Sequence, residues 1–186
     1  MKRTQRNLFI IMAAMVAFYS IVTRLPWQAA LAVSGAALVG FVALAVWGRD
    51  YFIARRHARK RNWPLAIERF QRFERKALKA PWRRLAVVLS LNVYTFDVPA
   101  IARNEIAQAF INANDLEQAS TWLRLALQRD PQYAAPYVNL AVVSALRGDA
   151  ATARREMSNA VQLGYSMQAA QRILRRALES TRSHGD

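Results

Sequence analysis

Cysteine is absent from the 186 residues, and histidine occurs only at positions 57 and 184. The first absence excludes disulfides, a thiolate nucleophile and Cys-ligated zinc or iron–sulfur centres. The second leaves almost no imidazole for metal binding or acid–base work. His57 lies inside a basic run and reads as a solvated surface residue; His184 lies in the tail. There is no glycine-rich phosphate loop, no GxSxG and no HExxH. The acidic residues are scattered singly apart from Glu105, Asp115 and Glu117, and Asp115 and Glu117 suit a helix cap and a first helical turn. No catalytic residue, metal, cofactor or small-molecule substrate is therefore expected, and the chain does not read as an enzyme.

Acidic charge is scarce, with 12 Asp and Glu against 27 Lys and Arg, a formal net charge of +15. The excess is unevenly placed. Residues 1–48 carry four basic and no acidic side chains, residues 49–99 a net +9, and residues 100–186 a net +2. The charge-poor N-terminal third holds two apolar runs, residues 8–22 and 29–48. At 1.5 Å per residue the second is about 30 Å long, the thickness of a bilayer core, and the first about 23 Å. The first becomes workable as a span over about 8–23 with local thinning of the bilayer. Pro26 breaks the helix between them, and Trp27 suits a membrane–water interface. Positive residues favour the cytoplasmic side. Three precede the first run, only Arg24 lies between the runs, and six follow closely after the second. The expected topology is in–out–in: a multi-pass hairpin in a bacterial inner (plasma) membrane with both termini cytoplasmic. A cleaved signal peptide followed by one anchor is the rival, although Phe18, Tyr19 and Ser20 make a poor cleavage site.

Ala32, Ala36 and Gly40 share a face of the second run, and small residues let helices in lipid approach closely. They are expected to pack against Ala13 and Ala17 of the first run, or else against another membrane protein. Directly after the second run comes RRHARKR, residues 55–61. Its cations Arg55, Arg56, Arg59, Lys60 and Arg61 suit anionic lipid headgroups, at about 1 kcal/mol each near the surface. Nucleic-acid binding is the weaker alternative, since no recognition motif accompanies the charge.

The C-terminal half repeats itself. Residues 100–133 and 134–167 align at an offset of 34. Ile106 matches Leu140, Ala107 matches Ala141, Asn114-Asp115 matches Gly148-Asp149, Ala119 matches Ala153, Leu123 matches Met157 and Ala126 matches Ala160. Each unit reads as two helices joined by a tight turn, with Asp115 and Asp149 as N-caps and Gly148 as a helix stop. Residues 130–161, beginning Asp130-Pro131 and carrying Tyr137, Leu140, Ala141, Gly148, Ala153, Met157 and Ala160, resemble the tetratricopeptide repeat (TPR). The first unit departs from that pattern at Arg103, in place of an aromatic, and at Asn114, in place of glycine. A degenerate upstream unit is expected if Asn62-Trp63 aligns with Asn114-Asp115, placing Ala66, Phe70 and Phe73 at repeat slots. Its first helix, residues 49–61, would continue the second span. Residues 81–99 then fall outside the period, with a helix expected at 84–91 and Pro99 in the first turn of the next. A last amphipathic helix over 166–180, with Met167, Ala170, Leu174 and Ala177 on one face, would cap the stack; residues 181–186 read as a disordered tail.

The expected fold is thus all-α: a two-helix transmembrane hairpin (1–48), basic juxtamembrane helices (49–99), two TPR units (100–167) forming a short α-solenoid, and a capping helix and tail (168–186). The resemblance implies a concave surface that holds a peptide or partner helix. Its inward slots map to Ile101, Asn104, Gln108, Ile111 and Asn112 in one unit and to Ala135, Val138, Val142 and Ala145 in the other. The basic residues that some family members use to grip a terminal carboxylate are missing from these slots. The expected function is a membrane-anchored adaptor or scaffold that recruits protein partners of a membrane-associated complex. The alternatives are an integral subunit using the hairpin as its interface and, below that, a tethered nucleic-acid binder.

Overall fold

The computed structural model describes residues 3–79 and 95–182. Among them the chain is all-α, with nine helices and no strand. We label these α1 (Arg3–Val22), α2 (Trp27–Trp47), α3 (Arg49–Arg59), α4 (Trp63–Lys79), α5 (Val98–Asn112), α6 (Leu116–Arg129), α7 (Ala134–Leu146), α8 (Ala150–Gln162) and α9 (Met167–Arg182). The helix expected at 84–91, and the last four residues of the tail, lie outside the described residues. Thr181 and Arg182 belong to α9 rather than to a disordered tail.

By length and composition one helix, Trp27–Trp47, is long and apolar enough to cross a membrane, and no part of its apolar window is buried in the protein. The apolar part of α1, Met12–Val22, is shorter. Between α1 and α2, Thr23 ends the first helix by donating its hydroxyl to the carbonyls of Tyr19 and Ser20, at 3.0 and 3.2 Å. The two helices make almost no contact with each other. Ala32, Ala36 and Gly40 are exposed, and a Cβ added at Gly40 would meet nothing within 4 Å. The expected packing of this face against α1 is therefore not what forms.

The remaining helices form antiparallel pairs, α3–α4, α5–α6 and α7–α8, laid side by side, with α9 against α7 and α8. One turn recurs at the ends of α3, α5, α7 and α8. A residue with left-handed backbone (Arg61 at φ 57°, Asn114 at 62°, Gly148 at 80°, Gly164 at 100°) reverses the chain. The N–H of the next residue then returns to a carbonyl five positions back, as in Asp115 N to Phe110 O at 2.9 Å and Asp149 N to Ser144 O at 2.9 Å. This is the Schellman arrangement, which satisfies orphan carbonyls at a helix C-terminus. Asn114 substitutes for glycine because Asn tolerates the left-handed region. The following helices are capped by Asp115 on Gln118 N (3.0 Å) and Asp149 on Thr152 N (2.9 Å).

The turn geometry corrects the upstream alignment by one residue. Arg61-Asn62, not Asn62-Trp63, occupies the place of Asn114-Asp115. With that register, three helix pairs bury matching positions: Ala54, Ala66, Phe70 and Phe73; Ala107, Ala119, Leu123 and Ala126; Ala141, Ala153, Met157 and Ala160. The alanines let paired helices approach closely while the larger side chains fill the space between pairs. The first pair's opening helix is not continuous with α2, because Gly48 interrupts it and α3 begins at Arg49. Phe73, standing where the other pairs have alanine, explains the junction. Its ring meets Trp47 edge-on at 5.2 Å and Tyr51 at 5.4 Å, so the end of α2 docks on α4.

Polar contacts join the pairs. Arg103, at the slot where the last pair has Tyr137, pairs with the buried Glu74 of α4 at 2.9 Å and donates to Leu125 O of α6 at 3.0 Å. Asp97 caps α5 through Ala100 N (2.9 Å) and takes a two-pronged contact from Arg129 at 2.9 and 3.0 Å. Buried Asp130 accepts from the Thr95 hydroxyl and from Gln132 N. Asp50, 2 % exposed, is held by Arg69 at 3.2 Å and by Lys76. Burial alone would raise its pKa; the hydrogen bonds and charges of Lys76 and Arg69 outweigh this and hold the carboxyl below its ordinary value.

Candidate partner-binding cleft

The first helices of the last two pairs, together with the chain after α8, wall an open cleft of about 360 Å³. Asn104, Gln108, Ile111 and Asn112 come from α5, Ala135, Val138, Asn139 and Val142 from α7, and Tyr165 and Ile173 from the final segment. Asn139 donates its amide to Asn104 Oδ1 at 2.9 Å, so two side-chain amides from neighbouring helices meet there. Asn112 turns its own amide back onto Gln108 O at 2.8 Å, and the Gln108 side chain stands exposed. The α7 wall is apolar apart from Asn139.

Seven of the expected groove residues therefore gather here: Asn104, Gln108, Ile111, Asn112, Ala135, Val138 and Val142. Two do not. Ile101, 2 % exposed, faces the core with Phe70, Ile106 and Tyr133. Ala145 is fully buried with Ala153 and Ala177. Both lie on the flank of their helix that meets a neighbouring helix, one helical step from the open face. Asn139, Tyr165 and Ile173 were not among the expected groove residues. Asn139 follows Val138 directly, and its amide type beside Asn104 one repeat earlier was the available signal. Nothing local marks Tyr165 and Ile173, because α9 reads from its sequence only as a cap.

Upstream of the cleft, Glu105 of α5 faces α3. Burial raises its pKa, and Arg55 opposes the shift. Arg55 also lies 5.9 Å from the centroid of the Tyr51 ring. Burial, followed by the charge of Glu105, pushes the Tyr51 hydroxyl up to about 12. Arg55, Arg56, Arg59, Lys60 and Arg61 are all exposed, on the later part of α3 and its turn. A second cleft, of about 390 Å³ and mostly apolar, opens between α8 and α9 beside Met157, Val161, Met167 and Leu174. It lacks the meeting of amides found in the first.

No protein-family model matches the chain, and no curated protein matches it either.

Proposed function

We propose that this chain is a membrane-anchored, cytoplasm-facing adaptor of TPR type. Its N-terminal helices α1 and α2 form a two-pass transmembrane hairpin with both termini in the cytoplasm, as the flanking charges favour. Its three helix pairs and α9 form a short solenoid whose inner face binds an extended segment of a protein partner. The observation that carries this is the cleft between α5, α7 and α9. An amide pair at one wall can exchange hydrogen bonds with a peptide backbone, and Val138, Val142 and Ile173 can take an apolar side chain. Anchoring at the bilayer raises the partner's local concentration there.

The test is crosslinking from native membranes, comparing the unaltered chain with Gln108→Arg/Val142→Arg. The adaptor reading expects defined chains to be captured and then lost with the double variant, while the variant stays in the membrane fraction. Capture unchanged by the double variant would contradict it. A second reading, an integral subunit of a membrane complex, draws on the exposed face of Ala36 and Gly40. Under it, Ala36→Leu/Gly40→Leu abolishes assembly without blocking insertion, and the cleft variant has no effect.

A further inference from the structure

We propose that the anionic-lipid contact is made at the open end of the α3–α4 hairpin, by Arg49, Arg75 and Lys79 with Phe52 beside them, rather than by the turn at residues 59–61. This rests on reading α2 as a membrane span. Four contacts bring the start of α3 and the last turns of α4 to the end of α2. Trp47 packs on Phe73, Tyr51 packs on Phe73, and Asp50 is paired with both Arg69 and Lys76. Because the hairpin is antiparallel, the last turns of α4 return to the start of α3: Phe73 meets Tyr51 and Lys76 meets Asp50, with Arg75 and Lys79 on those same turns. The turn at 59–61 lies at the other end of α3, about 15 Å further along at 1.5 Å per residue, which exceeds the Debye length of about 8 Å in physiological salt.

The charges at the two ends also differ in their surroundings. On α4, positions 72, 75 and 79 fall within about 60° of one another, opposite the buried stripe of Ala66, Phe70, Phe73 and Ala77. Arg72 is engaged by Glu68 at 2.8 Å. Arg49, Arg75 and Lys79 are exposed and carry no ion pair among the described residues. The acidic residues nearby, Asp50 and Glu74, are buried and already paired. An uncompensated cationic rim around the exit of an apolar helix is complementary to anionic phospholipid headgroups. Phe52, 47 % exposed beside Arg49, adds an apolar side chain at the same level. This rim is assembled from segments far apart in sequence, so the contiguous run at 55–61 does not reveal it.

The absence of cysteine allows a direct test on the full chain. Leu78→Cys or Lys60→Cys is labelled with a fluorophore and reconstituted in phosphatidylcholine vesicles containing phosphatidylglycerol. Energy transfer is read to an acceptor on the headgroup of trace phosphatidylglycerol or trace phosphatidylcholine. The expected result is greater transfer from position 78 than from 60, and a phosphatidylglycerol preference at 78. That preference falls to parity in Arg75→Gln/Lys79→Gln and persists in Arg59→Gln/Arg61→Gln; helix content by circular dichroism verifies that these surface variants fold. The proposal is overturned if the preference survives Arg75→Gln/Lys79→Gln, or if position 60 transfers as strongly as 78. Binding of a DNA duplex that Arg75→Gln/Lys79→Gln abolishes, without any lipid preference, assigns the cluster to nucleic acid and overturns it as well. Release of the chain from the vesicles by alkaline carbonate removes the span itself, whereas retention with an unchanged preference removes the rim alone.

Discussion

Arg103→Ala offers a sharp energetic test of how the helix pairs are held together. The Arg103 and Glu74 side chains are 16 % and 9 % exposed, their charged atoms are 2.9 Å apart, and Arg103 also satisfies the Leu125 carbonyl at 3.0 Å. Removing the guanidinium leaves a buried carboxylate without its cation and a carbonyl without its donor. Breaking a buried pair from one side costs about 3–5 kcal/mol. The residual exposure of Arg103 places this case near the lower end, about 3 kcal/mol. For a helical body of this size that corresponds to roughly 10 °C in Tm. Replacing both partners, as Glu74→Met/Arg103→Met, leaves no orphaned charge and is expected to recover most of the loss, since apolar substitutes for a buried pair are often close to neutral. Thermal unfolding in detergent, followed by circular dichroism, measures all three proteins. A shift below about 2 °C for Arg103→Ala, or a double variant as unstable as the single one, would refute a buried pair joining α4, α5 and α6.

Glu105→Gln is expected to raise Tm at neutral pH. A carboxyl whose folded pKa is raised stabilises the fold while protonated and loses that contribution as pH rises through the raised value, so the gain should vanish in acid, which a pH series of melts will show. Asp50 has the opposite sign. Its lowered pKa contributes stability at neutral pH that is lost as pH falls below the ordinary carboxylate range, and Asp50→Asn should flatten that acid limb in the same melts. Gly148→Ala forces a Cβ into φ 80° and should cost about 1 kcal/mol in denaturant titration, whereas Asn114→Gly at φ 62° should be neutral or slightly stabilising.

The helix pairs at 98–162 were legible because their signals are local. A 34-residue offset aligns Ala107, Ala119, Leu123 and Ala126 with Ala141, Ala153, Met157 and Ala160, and all eight are buried. Asp115 and Asp149 announce helix starts by residue type alone, and both cap as expected. The upstream turn was misregistered because its left-handed residue is Arg61, a type that carries no turn signal. The break at Gly48 was hidden for a related reason: one glycine between two helical patterns does not by itself interrupt a helix. Arg103 read as a departure from the repeat, and its role is visible only with Glu74, 29 positions away. In the cleft, helical spacing located Asn104, Gln108, Ile111, Asn112, Ala135, Val138 and Val142. It could not tell that the flank holding Ile101 and Ala145 is covered by neighbouring helices. Nor could it show that α9 would bring Ile173 to the same opening.

The cysteine-free background also permits the most direct test of the central claim, that α2 crosses a bilayer and delivers the helix pairs to the cytoplasmic side. Single cysteines at Gln28, in the first turn of α2, and at Gln108, in the cleft, are exposed to a membrane-impermeant thiol reagent on cells with an intact inner membrane. Labelling at position 28 without permeabilisation, and at position 108 only after it, is the predicted result. Labelling at 108 from outside, or identical accessibility at the two positions, would contradict it.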